Sequence, residues 1–352
     1  LNPQVLHQPK SETGLSRILI VTDAWAPQVN GVVRTLQTVT AEIRLMGKVV
    51  EVIGPDQFNT IPCPSYPEIR LAMFPARKLA KLIDAFAPDA LHIATEGPLG
   101  MAARKYARQR KINFTTAFHT RFAEYLAART RIPTRLTYAW LRWFHGAGNG
   151  VMVATQSLRD ELTRRGFKNV RAWSRGVDLA AFHPEPKEAW DLPRPIFAYV
   201  GRVAVEKNLR AFLALTLPGS KLVVGDGPQR KTLEREYPDT HFAGARFGAS
   251  LAAAYAGADV FVFPSRTDTF GLVVLEALAS GLPVAAYPVT GPMDILNESR
   301  VPVGALNQDL RQAALDALNI DRGACRPYAE TYTWAACAQR FVENLVPVKQ
   351  QA

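Results

Sequence analysis

Cysteine is scarce in this chain of 352 residues. Its three thiols, Cys63, Cys325 and Cys337, are odd in number and never spaced C-x-x-C, which argues against a disulfide framework and against a zinc site. No stretch reaches the roughly 18 apolar residues that a membrane span needs, and the polar opening LNPQVLHQPKSETGLSR (1 to 17) holds no apolar secretory segment. The expectation is a cytoplasmic protein with reduced cysteines. No P-loop pattern occurs. VVGDGP (223 to 228) offers G-x-G without the third glycine of a dinucleotide fingerprint, so a nicotinamide cofactor has weak support.

The chain has length enough for two cores, and its 48% hydrophobic content suits a globular protein. Its formal net charge of +11 is unevenly spread: residues 1 to 190 carry 26 Lys and Arg against 15 Asp and Glu, while residues 191 to 352 carry 16 of each. Such a basic half points to nucleic acid, an anionic membrane or an anionic ligand. Strand candidates RILIVT (17 to 22), VVEVIG (49 to 54), ALHIAT (90 to 95), NFTTAF (113 to 118) and VMVAT (151 to 155) alternate with amphipathic stretches, the βαβ rhythm of a parallel sheet. After the proline-bearing HPEPKEAWDLPRP (183 to 195) the rhythm restarts with IFAYVG (196 to 201), KLVVGD (221 to 226), THFAG (240 to 244), DVFVFP (259 to 264) and PVAAYP (283 to 288). The fold class expected is therefore α/β, with two Rossmann-like doubly wound domains, at 15–185 and 195–330, facing a central cleft where the carboxyl ends of both sheets bind ligands.

Between Pro264 and Val284 the chain reads PSRTDTFGLVVLEALASGLPV, with Asp268 ahead of a helix and Glu276 inside it. We expect Thr269 to cap a helix running through Leu278, so that free backbone N–H groups and the helix dipole offer a phosphate site. About two turns would separate the carboxylates by roughly 12 Å along the axis, too far for a glycosidase pair. That reach suits a nucleotide-sugar, with hydroxyls at both ends and a diphosphate between. The plainer reading is an acidic cap on a buried helix with Glu276 solvated. In GRVAVEKN, Arg202 and Lys207 follow a strand end and can reach one phosphate; in APQVNGVVRTL, Asn30 and Gly31 open a helix where backbone can approach a phosphate closely.

These segments, together with TAFHT (116 to 120) and SRGVDLAAFHP (174 to 184), occur in the order and spacing of the retaining glycosyltransferases of family four, which the chain resembles over nearly its whole length. The resemblance extends to the branch of GDP-mannose-dependent alpha-mannosyltransferases and of diacylglycerol and sulfoquinovosyl-type glycolipid glycosyltransferases. It implies the GT-B fold, with a closing helix (331–348) returning to the first domain. It implies that Arg202 and Lys207 hold the diphosphate, that His119 contacts the transferred sugar, and that Asp226 with Ala245 and Arg246 lies near the base. By the same likeness Asp268, Thr269, Phe270, Gly271 and Leu272 meet the donor and Glu276 the ribose. The family usually has Glu where this chain has Asp268, a change we read as a subfamily mark. No D-x-D pair is present to offer a divalent ion to the diphosphate, so no metal and no cofactor are expected, the charge coming from protein.

Two basic stretches suggest an acceptor side. FPARKLAKLIDAF (74 to 86) sets Arg77, Lys78 and Lys81 beside Leu79, Leu82, Ile83 and Phe86, and RIPTRLTYAWLRWF (131 to 144) interleaves Arg131, Arg135 and Arg142 with Tyr138, Trp140, Trp143 and Phe144, close after Thr120. The apolar faces suit a bilayer or a core, and the mixture suits single-stranded nucleic acid, though no nucleic-acid module is visible. The expectation is a hexosyltransferase, peripheral on the inner face of the cell membrane, with a nucleotide-sugar donor, an anionic membrane surface and a lipid acceptor as partners and no nucleic acid. A soluble or polysaccharide acceptor, a sugar-nucleotide epimerase and a non-catalytic binding protein are the alternatives. Donor base, hexose and oligomeric state stay open.

Overall fold

The computed structural model describes residues 14 to 28, 30 to 63, 66 to 124, 133 to 185 and 190 to 348. Its first half holds β1 (Arg17–Val21), β2 (Val49–Ile53), β3 (Thr60–Cys63), β4 (Tyr66–Ala72), β5 (Ala90–Ile93), β6 (Thr115–Phe118), β7 (Val151–Val153) and β8 (Val170–Ala172). Six of these form a parallel sheet in the order β2-β1-β5-β6-β7-β8, and β3 and β4 pair as a separate antiparallel ribbon. The second half holds β9 (Ile196–Val200), β10 (Ser220–Val224), β11 (His241–Gly244), β12 (Val260–Phe263), β13 (Val284–Ala286) and β14 (Gly304–Leu306), parallel in the order β11-β10-β9-β12-β13-β14.

The near-continuous apolar runs of these strands reflect cover on both faces. Along β9, Ile196, Ala198 and Val200 enter one buried cluster with Phe261 and Leu275, while Phe197 and Tyr199 enter another with Val260 and Val262. Along β1, Ile18 and Ile20 face one core and Leu19 and Val21 the other. β8, β14 and the β3-β4 ribbon lie outside the strands expected from sequence: the first two have three residues each, too few for a period to show.

Five helices matter for the site: α1 (Gly31–Leu45), α2 (Ala76–Phe86), α3 (Thr134–His145), α4 (Leu272–Ala279) and α5 (Trp334–Asn344). α5 is capped by Thr333, whose Oγ1 accepts from Ala336 N at 3.1 Å, and it buries Trp334, Cys337, Ala338, Phe341 and Val342 against Ile18, Ile20, Leu36, Val39 and Ile43 of the first domain. Chain order reverses between β1 and β5 in one sheet and between β9 and β12 in the other. A crevice opens at such reversals beyond the carboxyl ends of the strands. The loops after β1, β9 and β12 leave from those ends, and they carry the motifs.

Candidate active site

The loops after β9 and β12 are stitched together. After Gly201 the chain makes a short turn at Val205–Lys207, and Asn208, left-handed with φ 55°, donates Nδ2 to the carbonyl of Pro264 at 3.1 Å. Ser265 and Thr267 both donate their hydroxyls to the Glu206 carbonyl, at 3.5 and 3.4 Å. This lacing brings Lys207 Nζ to 2.5 Å from Asp268 Oδ1. The second oxygen, Oδ2, is shielded from solvent with no partner among the described residues. Arg202, half-buried in the same loop after β9, accepts at its carbonyl from the Tyr199 hydroxyl at 2.8 Å. Gly225 explains why VVGDGP needs its glycine: with φ 147°, a Cβ there would lie 1.8 Å from the Gly201 carbonyl oxygen. The glycine lets two strand ends meet.

Thr269 does not cap the helix. Gly271 takes φ 90°, which helical backbone cannot include, so α4 begins at Leu272 and Glu276 lies one turn inside it rather than two. Thr269 Oγ1 instead donates to the His119 carbonyl at 2.7 Å, across the crevice. No side chain caps α4; Val274 N donates to the Gly271 carbonyl at 2.9 Å, which leaves the amides of Leu272 and Val273 for another acceptor. Phe270 is buried and meets Tyr332 edge-on at 6.5 Å.

The opposite wall is the start of α1. Asn30 is its cap, Oδ1 accepting from Val32 N and Val33 N at 3.0 Å each. Gly31 faces the start of α4, since a Cβ on it would stand 3.7 Å from Leu272 Cδ1. One turn further, Arg34 forms an ion pair with Glu276 across the domains, and Tyr255 donates its hydroxyl to Glu276 Oε2 at 2.8 Å. Glu276 is therefore buried and held, not solvated, and burial raises its pKa against the pull of Arg34.

His119 directly follows β6 and stands edge-on to Trp173 at 5.5 Å. Burial, with Arg175, His92 and His145 nearby, puts its pKa well below the ordinary histidine value. His92 lies deeper on β5, its Nδ1 2.9 Å from Thr115 Oγ1, and burial, helped by His145, lowers its pKa to about 3. A histidine neutral in the fold but titrating near 6.5 when unfolded adds stability above about pH 6.5, lost progressively as the pH falls toward 3. We expect His92→Gln to lose ~2 kcal/mol less than the parent between about pH 7 and pH 4.5, measured by chemical denaturation. Equal losses would show that His92 does not drive the acid sensitivity.

Comparison with known proteins decides the family. The Glycosyltransferase Family 4 profile matches residues 29–181, and that of Glycosyl transferases group 1 matches residues 194–319. A GDP-mannose-dependent alpha-mannosyltransferase of Mycobacterium tuberculosis is 31% identical, the match covering 84% of this chain and 86% of that protein. The chain belongs to glycosyltransferase family 4. Alpha-monoglucosyldiacylglycerol synthase of Streptococcus pneumoniae is 27% identical over 86% of this chain and 78% of its own. Sucrose-phosphate synthase from Thermosynechococcus elongatus superposes with TM-score 0.74 at 19% identity, over 93% of this chain and 98% of that one, which fixes the fold as GT-B. The protein is a nucleotide-sugar-dependent hexosyltransferase.

Other sites marked in the glycosyltransferase sequence scatter. Asp226 lies near the surface, paired with Arg230 at 3.2 Å, and Ala245 and Arg246 are exposed, the guanidinium 6.0 Å from the Trp190 ring centre. Arg77, Lys78 and Lys81 are exposed on α2, but Leu79 and Ile83 are core, so that helix has no free apolar stripe. On α3, Tyr138 is buried, its hydroxyl donating to Glu124 Oε1 at 2.7 Å, which removes its ring from any bilayer. Half-buried Trp140 packs on that core, and Trp143 is 48% exposed with Arg104 stacked 3.6 Å from its ring centre. Thr120 is half-buried beside His119, and Arg131 lies outside the described residues. Among the described residues no three His, Cys, Asp or Glu side chains gather as metal ligands, and no helix is long and apolar enough to cross a membrane.

Sequence reasoning passed over Arg34, Tyr255 and Arg175. Arg34 carried a signal: it stands four residues after Asn30, on the face that holds the start of α1. Tyr255 and Arg175 had none beyond their place in or near quoted segments.

Proposed function

We propose that this glycosyltransferase moves a hexosyl group from a nucleoside-diphosphate sugar, with retained configuration, to a lipid acceptor such as diacylglycerol or a glycolipid at an anionic membrane surface. The carrying observation is the Lys207–Asp268 pair beside the uncapped start of α4. Fixed cations and free amides suit the charge that grows on a departing diphosphate, and an acid suits sugar hydroxyls. Arg202 and Lys207 hold the diphosphate, Asp268 and His119 the sugar. The acceptor hydroxyl attacks from the face the diphosphate leaves, and a diphosphate oxygen takes its proton. Asp226, Ala245 and Arg246 lie toward the base. Glu276 takes the ribose hydroxyls on the lone pairs that Arg34 and Tyr255 leave open.

The membrane part draws on relatives named as alpha-monoglucosyldiacylglycerol synthases and on one patch of the first domain. Because the apolar face of α2 is core, contact with lipid falls to its exposed Arg77, Lys78 and Lys81 together with Met73 and Phe74 just ahead of it, 41% and 92% exposed. Basic residues with an exposed aromatic match an anionic interface. The enzyme would then work as a peripheral protein on the cytoplasmic face.

The test is transfer from GDP-mannose and UDP-hexoses to diacylglycerol in vesicles of rising anionic lipid content. Labelled glycolipid that increases with anionic content is expected. Transfer confined to soluble acceptors would overturn the lipid assignment, and epimerised donor without transfer would overturn the reaction. Activity should also survive excess chelator, since protein groups supply the charge; loss restored by Mg²⁺ or Mn²⁺ would refute that division of labour.

A further inference from the structure

Arg175 is buried with no counter-charge among the described residues. Its Nη1 donates to the carbonyls of Trp173 and Ser174 at 2.7 and 3.0 Å, its guanidinium lies 4.3 Å from the Trp173 ring centre, and Nη2 is 3.3 Å from His119 Nδ1. Among the described residues no carboxylate pairs with it. Keeping a cation from water with only carbonyls and an imidazole as partners is costly, and a truncated apolar side chain would avoid that cost.

The geometry fixes a proton. A guanidinium has donors and no acceptor, so the Nδ1 it meets must present a lone pair. A neutral imidazole with its lone pair on Nδ1 carries its hydrogen on Nε2. That Nε2 is shielded from solvent and has no partner among the described residues. A buried donor left unmade costs about 1–3 kcal/mol, which an oxygen arriving with a ligand would recover.

We propose that Arg175 is a positioning residue of the donor site, holding His119 as a neutral imidazole that presents Nε2–H to an oxygen of the bound sugar. This rests on the donor-site reading given under the proposed function and adds the protonation state and the residue that sets it. It makes His119 a hydrogen-bond donor and removes it as a proton acceptor during transfer. The surroundings agree. Arg175, His92 and His145 face the ring, none of them an anion, and the Trp173 ring packs on its edge. Glu96 meets His145 Nε2 at 3.2 Å, and Thr269 Oγ1 donates to the His119 carbonyl, not to its ring. Cys337, beside Arg175, is held as a thiol by burial, which raises its pKa to about 11.

The test is a long-range ¹H–¹⁵N spectrum of protein labelled in its histidines, with His119 assigned by its loss in His119→Gln. In the parent, His119 is expected as the Nε2–H tautomer, taking up a proton only well below the ordinary histidine range. Arg175→Met should let the ring take up a proton at higher pH and sample the other tautomer. The same variant should lower kcat about tenfold or more, with donor KM changing less, using whichever of GDP-mannose or UDP-glucose supports turnover. Arg175→Lys, which keeps a donor, should restore part of both.

An Nδ1–H tautomer in the parent, or an unchanged His119 titration in Arg175→Met, overturns the proposal. A role in packing alone would lower the melting temperature and leave the titration where it was. If Arg175→Met does not fold, the parent tautomer decides. The expected tautomer and titration without transfer from any donor would keep the histidine lock and sink the donor-site reading.

Discussion

Asp268→Ala is expected to lower kcat ~100-fold or more while leaving affinity for GDP or UDP within a few-fold. The asymmetry follows from the pair it breaks. Asp268 holds Lys207 with one oxygen and keeps the other shielded and unpartnered, the arrangement of a group waiting for a sugar hydroxyl. Removing the carboxylate takes away contacts to the moving hexose but frees Lys207 for the diphosphate, so the nucleotide is held at least as well. Steady-state kinetics beside calorimetric titration of the free nucleotide separate the two quantities. Unchanged turnover would reject Asp268 as the sugar-binding acid, and a parallel collapse of nucleotide affinity would place it on the diphosphate side.

Lys207→Met should cost as much in a different place. Its ammonium is the cation that the lacing of Asn208 to Pro264 and of Ser265 and Thr267 to Glu206 sets beside the start of α4. Losing one fixed charge stabiliser lowers kcat by ~10²–10³ in comparable sites, and here donor KM should rise as well. The double variant Lys207→Met with Asp268→Ala should lose less than the sum of the two, because residues in contact couple by ~0.5–3 kcal/mol. Strict additivity of the two losses would mean that the ion pair between them has no part in the reaction.

Much of this site was readable before folding. Strands β9 and β12 announced themselves as unbroken apolar runs, and the polar residues after them fall where parallel strands end. The start of α4 was misplaced by two residues because Gly271, taken as part of a helix, is the residue whose left-handed backbone stops one. Burial of Glu276 was legible in principle: in LVVLEALA every other residue is apolar, and a helix apolar all round has no wet side for a carboxylate. The ion pair of Arg34 with Glu276 and the contact of Arg175 with His119 were not legible. They join residues 242 and 56 positions apart, and no local period records such a meeting. The basic helix α2 shows the reverse error. Its pattern fits a lipid surface and a protein core equally, and tertiary packing chose the core.

The place of α5 bears on how the protein is made. Residues of α5, Phe341 among them, follow the second domain in the chain and complete the core that β1 and α1 begin. A domain usually settles as soon as it leaves the ribosome, but this one must keep an apolar groove open until the whole second domain has been translated. The half that is synthesised first must therefore wait for a helix encoded beyond the second half before its own core can close.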